Sequence, residues 1–393
     1  MSTRTKGRNE VKTRKSTRKR NAGNSRIAKR KASAPRKAPA QEELSREGLP
    51  PFVDLLFPKA GPNHEPLIDD MLIVHPDFAE ILEALEELDD LDRAVLREHG
   101  ILFTGESLLG KTRLLAEYIA GRMPRRTADG LEMPVLYIQI AERPTIRSVA
   151  VALLREFGEI PNPKDSADDM LNTLVTLGAE CGLHVICLDD LHHFVDQRSE
   201  LGQYELTEWL KRLVMRMQVA LVICGLERTT EAIRLNEQLY SRMDCLMQIR
   251  RFDWRRDEDR QAFEDITEGF RSSVGEEFTL PKEAKDSFRW YVACSGKIGF
   301  MMKIGRRMIK LARRARTKSI SLEILDKAWR RSRFDSPGTE KTMRPFGAGF
   351  ACNQEPATIE RILNTGVELG PKEAKASKSK REKKSNLRQA IAR

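Results

Sequence analysis

Residues Gly105-Glu106-Ser107-Leu108-Leu109-Gly110-Lys111-Thr112 carry the spacing G-x-x-x-x-G-K-[S/T]. Glycines at those places let successive backbone N–H groups turn inward around phosphate oxygens. Lys111 would reach the β- and γ-phosphates as a point charge, and the Thr112 hydroxyl would ligate Mg²⁺. A helix starting at the end of the loop adds its partial positive charge. The chemistry expected is therefore binding of ATP with Mg²⁺ across residues 105–112. A second constellation, Val185-Ile186-Cys187-Leu188-Asp189-Asp190, is an apolar run ending in two carboxylates. Asp189 is expected to hold Mg²⁺ through its hydration shell. Asp190 is expected to orient and polarise the attacking water. Many ATPases use Glu at that second position, and Asp is one carbon shorter. His192 and His193 follow, and two readings stand: a pair that senses phosphate or a neighbour, or ordinary packed or solvated residues.

These groups need elements to position them. Ile101-Leu102-Phe103-Thr104 is a strand-length apolar run directly before the loop, and a helix is expected over 114–119. Further strands are expected at 135–140, 184–188 and 219–224, with helices at 146–157, 168–181 and 203–217. Strands alternating with helices predict an α/β domain built on a parallel sheet flanked by helices. Before it, Pro76 suits a first helical turn. Phe78, Ile81, Leu82, Leu85 and Leu88 then make one apolar helix face, opposite Glu80, Glu83, Glu86 and Glu87. Beyond Arg255 the spacing predicts helices at 257–270, 281–294, 300–316 and 321–333, a small all-helical lid. The division expected is a basic disordered arm and linker over 1–64, a nucleotide-binding α/β domain with an N-terminal helical segment over 65–255, the lid over 256–334, and an extended basic tail over 335–393.

The net charge of +11 is unevenly spread. Residues 1–40 carry +14 and residues 371–393 carry +7, leaving −10 for the body. The arm has almost no apolar face and reads as a disordered segment, for nonspecific nucleic-acid contact, as a solubilising tail or as a targeting sequence. No run of about 18 apolar residues is present, which excludes a membrane span of that kind. The six cysteines form no CxxC pair and have no zinc spacing, consistent with a reducing intracellular compartment and a cytoplasmic location. Within the lid, residues 297–333 carry 13 Lys/Arg against Glu323 and Asp326. Arg306, Lys310, Arg313 and Arg314 share one helix face there. That face suits phosphates, or it is a solvated or acid-docking surface.

The order of these motifs resembles a known family. Residues 105–112 precede Leu188-Asp189-Asp190-Leu191-His192-His193, then Ile223-Cys224-Gly225 with Ala232-Ile233, then Gln238-Leu239-Tyr240-Ser241-Arg242-Met243. Over about 65–334 the chain resembles the TniB/TnsC ATPases of DNA transposition, within the AAA+ superfamily of P-loop NTPases. The resemblance implies a sensor strand at 219–224 lying between the two motif strands. It implies that Arg242 faces a neighbouring subunit's nucleotide. Where the family commonly has Gly-Thr, this chain has Gly225-Leu226. Gly299 stands where the lid's sensor arginine is usual, and Lys297 is the substitute available in the site. Slow ATP hydrolysis follows, suited to a switch. The partners implied are double-stranded DNA without sequence preference, a separate transposase, a TniQ-like target-selection protein, and further copies of the chain in a ring or filament associated with the nucleoid. A docking segment for the transposase is expected within 335–370, around Arg344-Pro345-Phe346. The competing readings are an origin-recognition or helicase-loader ATPase, and a nucleotide-switched scaffold that does not bind DNA.

Overall fold

A computed structural model of the chain describes residues 36–37, 48–59, 64–142, 144–197, 199–332, 344–347 and 349–365. The cationic arm up to residue 35 and the segment 371–393 lie outside the described residues.

Five strands build the central sheet: β1 (Gly100–Gly105), β2 (Val135–Gln139), β3 (Val185–Asp189), β4 (Ala220–Gly225) and β5 (Met243–Ile249). Their order is β2-β3-β4-β1-β5 and every pairing is parallel. All carboxyl ends therefore lie along one edge. The expected strands are found, and the sensor strand β4 lies between β1 and β3 as the resemblance implied. Strands β1, β3 and β4 are buried along their whole length, which explains their unbroken apolar runs. The fifth strand was not anticipated. Its sequence, MDCLMQI, is buried only at Met243 and Ile249, and its pairing with β1 defines it.

The helices used below are α1 (Pro51–Leu56), α2 (Pro76–Glu87), α3 (Lys111–Ala120), α4 (Ile146–Glu156), α5 (Ala167–Glu180), α6 (Glu200–Met217), α7 (Asp257–Gly275), α8 (Ser287–Cys294), α9 (Ile298–Arg314), α10 (Leu322–Ser332) and α11 (Pro356–Leu363). α4 and α5 start with capping boxes at Thr145 and Ser166. One helix was expected over 281–294. The chain instead makes a 3₁₀ turn over Lys282–Lys285, then restarts at Asp286, whose side chain accepts from the Phe288 N–H at 2.9 Å.

Two cores organise the fold. The first joins the sheet to α1–α6. The second joins α7–α11 and includes Leu67, Ile68, Met71 and Ile73 from before α2, and Phe252 and Trp254 from after β5. Two expectations are corrected here. In the stretch read as arm and linker, α1 buries Phe52 and Val53 in the first core. The Phe52 ring lies 6.3 Å from that of Tyr137, and its N–H donates to Glu156 at 2.8 Å. In the stretch read as an extended tail, α11 lays Ile359 and Ile362 on the second core. Apolar faces this short are cheap to overlook, yet they are buried as fully as the longer helices.

α2 begins at His75, whose Nδ1 accepts from the Phe78 N–H at 3.4 Å. The ring is buried against Phe78 and Phe252. Burial pushes its pKa down from 6.5 to about 4, against the pull of Asp77. A base with a lowered folded-state pKa binds more protons unfolded. Stability is thus intact above pH 6.5 and is lost as pH falls toward 4, by on the order of 3 kcal/mol. The His75→Asn variant keeps a capping acceptor without titrating. Denaturant melts between pH 4 and 7 should show a flatter stability profile for it than for the natural chain.

Candidate functional site

The phosphate loop leaves the carboxyl end of β1 and enters α3 through Gly110. Leu108 and Gly110 both have positive φ (69° and 98°). This alternation turns the loop's N–H groups toward a common centre. A Cβ at Gly110 would meet nothing within 4 Å, so the concavity on that side is open. Lys111 is buried, and its Nζ donates to the Gly105 and Glu106 carbonyls at 2.8 and 3.0 Å. The ammonium thus closes the loop upon itself from within.

Asp189, at the end of β3, is fully buried. Its Oδ2 accepts from the Thr112 hydroxyl at 2.7 Å and from the Tyr137 hydroxyl at 3.1 Å. Its Oδ1 accepts from the Cys224 thiol at 2.7 Å and from the Asp190 N–H at 2.8 Å. The two residues read from sequence as Mg²⁺ ligands, Thr112 and Asp189, are therefore side by side. Hard oxygens in contact at the mouth of a phosphate loop fit a divalent cation and its phosphate partners.

Tyr137 and Cys224 were not singled out from sequence. They stand on β2 and β4, the two neighbours of β3. Burial, then the Asp189 carboxylate, pushes the Cys224 thiol far above its ordinary pKa, so it remains a protonated donor. Leu226 stands where the resemblance implied a polar residue at the end of β4, and this thiol supplies a polar contact two residues earlier. Thr229, just beyond, is also buried, and its hydroxyl has no hydrogen-bond partner.

Asp190 takes φ 58°, a left-handed conformation uncommon for a residue with a side chain. Its Oδ2 accepts from Gln139 Nε2 at 2.8 Å. Gln139 and Tyr137 are two apart on β2 and so share a face. His192 lies with its Nδ1 3.7 Å from Asp190 Oδ1, without a hydrogen bond at that nitrogen. Burial, then the adjacent His193, lowers its pKa from 6.5 to about 4, so it is neutral near pH 7. The two rings are 4.3 Å apart.

The lid closes directly on the loop. The Gly299 N–H donates to the Leu108 carbonyl at 2.9 Å. A Cβ on residue 299 would sit 2.7 Å from that oxygen, so the contact requires glycine. This gives a physical reason for the glycine that occupies the usual arginine's place. Lys297, just before α9, places its Nζ 2.9 Å from Glu106 Oε2. Arg251, two residues beyond β5, grips the same carboxylate through Nε at 2.6 Å and through Nη2. Burial alone would raise the Glu106 carboxyl, but its bonds to Arg251 and Lys297 outweigh this and hold it below the usual carboxylate range. Sequence reading took Glu106 only as a loop backbone position and did not single out Arg251.

Arg242 lies elsewhere. It precedes Met243, the first residue of β5, which pairs with Gly100, the first residue of β1. The phosphate loop begins at the other end of β1, roughly 16 Å away at about 3.3 Å per residue. Arg242 donates to the Arg97 carbonyl at 3.5 Å and does not join the site assembled in its own chain.

The basic lid face is divided. Arg306 pairs with Asp69 through Nε at 2.8 Å, and Arg313 pairs with Glu65 at 3.0 Å and Glu277 at 3.2 Å. These cations dock the lid on the chain's own acids. Arg314, Arg316, Lys318, Lys327 and Arg331 are exposed. The segment expected to dock a transposase is also held internally. Phe346 is buried with its ring 5.1 Å from that of Trp290, and Arg344 pairs with Asp326 at 3.0 Å. A cleft of about 460 Å³ bounded by Thr145, Ser166, Phe194, Trp209 and Arg212 shares no residue with the phosphate loop. No helix of the described residues is long and apolar enough to cross a membrane.

A five-stranded parallel sheet in this order, a phosphate loop after β1, an acidic pair after β3 and a helical lid define an AAA+ P-loop ATPase fold. The structure of Cdc6p from Pyrobaculum aerophilum shares it with a TM-score of 0.51, at 16% identity over 72% of this chain and 71% of that one. The ORC2 protein of Aeropyrum pernix, in its ADPNP-ADP complexes, aligns with a TM-score of 0.48 at 15% identity, over 64% of this chain and 67% of that one. No curated protein matches the chain. Residues 65–254 match the family model described as Bacterial TniB protein. That match agrees with the resemblance that the motif order implied, and it ends just before α7.

Proposed function

We propose that this protein is an ATP-dependent regulator of DNA transposition, which assembles on duplex DNA and there recruits and activates a separate transposase. The observation that carries the reading is the contact of Thr112 with Asp189 inside the stretch that matches the TniB model. The loop N–H groups and Lys111 would hold the phosphates, and Thr112 and Asp189 would hold Mg²⁺. The cation would offset charge on the phosphate oxygens. Asp190 would orient the attacking water, with Gln139 positioning its carboxylate. Residues 65–255 would serve as the nucleotide-binding unit and 256–334 as its lid, with Lys297 the lid's cation in the site.

Arg242 would act on a neighbouring copy's nucleotide, since it stands at the far end of β1 from its own loop. An arginine supplied across an interface makes assembly depend on ATP. DNA contact would fall to the exposed lid cations and to the cationic segments 1–40 and 371–393, and a TniQ-like protein would choose the target. The likeness to Cdc6p speaks for shared architecture, and the TniB match favours transposition over origin recognition.

The test is turnover. Asp190→Ala should bind ATP within about threefold of the natural chain while hydrolysis falls at least about 100-fold, or roughly 3 kcal/mol of barrier. Labelled-nucleotide binding and phosphate release measure the two. Hydrolysis at an undiminished rate would remove Asp190 from its role.

A further inference from the structure

One guanidinium links the phosphate loop to the C-terminal helix. Arg251 is 6% exposed at its side chain. Two of its nitrogens hold the Glu106 carboxylate, and the third, Nη1, donates to the Leu363 carbonyl at 2.6 Å and the Thr365 carbonyl at 2.9 Å. Those carbonyls belong to the end of α11, where the last turn of a helix has no internal donors left and its dipole favours a cation. α11 and the segment leading to it have other anchors. Ile359 and Ile362 are buried in the second core, and Trp254 Nε1 donates to Gln354 at 3.1 Å. Packing thus holds α11 as far as Ile362, and Arg251 holds the carbonyls just beyond it, at Leu363 and Thr365.

A phosphate chain bound on the loop N–H groups would lie beside Glu106. It would repel that carboxylate and attract the two cations Glu106 holds. A shift of Arg251 toward phosphate draws it off the two carbonyls, because a guanidinium fork is rigid and its bonds at 2.6 and 2.9 Å have little slack.

We propose that Arg251 couples nucleotide occupancy to the docking of α11, so that phosphate binding loosens the helix end and a docked α11 lowers nucleotide affinity. The coupling is reciprocal by thermodynamic necessity. It rests on the reading of residues 105–112 as a nucleotide site. The segment it would release leads in sequence into residues 371–393, which carry net +7. Nucleotide state would thereby govern how a cationic segment is presented to an acidic partner such as DNA.

The test is hydrogen–deuterium exchange on the full chain, with and without Mg²⁺ and a non-hydrolysable ATP analogue, while analogue binding is measured in the same samples. The amides of Asn364 and Thr365, bonded to the Glu360 and Ile362 carbonyls at 2.9 and 3.0 Å, report the end of α11. Their exchange should quicken by about tenfold when the analogue binds, a coupling of the usual allosteric size. Arg251→Lys keeps the charge but loses the fork that spans both partners. It should still bind the analogue, and its α11 amides should exchange fast in both states. Bound analogue with unchanged α11 exchange in the natural chain, or an undiminished response in Arg251→Lys, would overturn the coupling. Failure of the analogue to bind at all would overturn the nucleotide reading, and this proposal with it.

Discussion

Replacing Lys111 by Ala should lower ATP affinity by at least about 100-fold, or roughly 3 kcal/mol. The ammonium at the start of α3 is directed into the phosphate loop, where its Nζ lies 2.8 Å from the Gly105 carbonyl. Its loss removes a charge-assisted contact to phosphate, worth about 1.5–3 kcal/mol. It also removes the internal brace that keeps the loop folded around its centre. The cost to the free protein should be smaller, about 1–2 kcal/mol, since only the Gly105 and Glu106 carbonyls lose a donor. Titration with labelled nucleotide and a denaturant melt separate the two effects. An affinity within tenfold of the natural chain would mean that phosphate binds elsewhere.

The second large effect is expected in DNA binding. Contact through lid cations and cationic segments is contact with phosphates, and each neutralised phosphate releases counterions. A footprint of roughly 6–10 phosphates would weaken duplex binding by about 10³–10⁵ between 50 and 200 mM salt. Electrophoretic or anisotropy titrations with nucleotide bound should give this slope for unrelated duplex sequences alike. Arg314→Gln with Arg331→Gln should flatten it, since both side chains are exposed. Arg306→Gln should change it less, because Arg306 already answers Asp69. Salt-insensitive binding would place recognition on other chemistry.

Local pattern carried much of the fold. Strands β1, β3 and β4 are apolar without interruption because both faces are covered, and the loop and acidic pair stand where such strands end. Thr112 and Asp189 are assigned to one metal from motif spacing and residue type, and they touch in the folded chain. What was missed shares a physical cause. β5 is buried only at its two ends and contains Asp244 and Gln248, so only its pairing with β1 identifies it. The Glu106–Arg251 pair spans 145 positions, and no local pattern announces a contact at that distance. α1 and α11 have only 6 and 8 residues, too few for a periodicity to stand out from their proline-containing surroundings. The basic lid face was legible as charge. Sequence did not show that Arg306 and Arg313 already meet Asp69, Glu65 and Glu277.

The central claim is assembly on duplex DNA governed by nucleotide, with Arg242 acting across the contact between copies. It is tested most directly by negative-stain electron microscopy of the full chain with duplex DNA, Mg²⁺ and a non-hydrolysable ATP analogue. The natural chain should form rings or filaments on the duplex only when the analogue is present. Arg242→Ala should bind the analogue yet leave the duplex bare. Equal assembly without nucleotide, or no assembly by the natural chain with the analogue bound, would contradict the account.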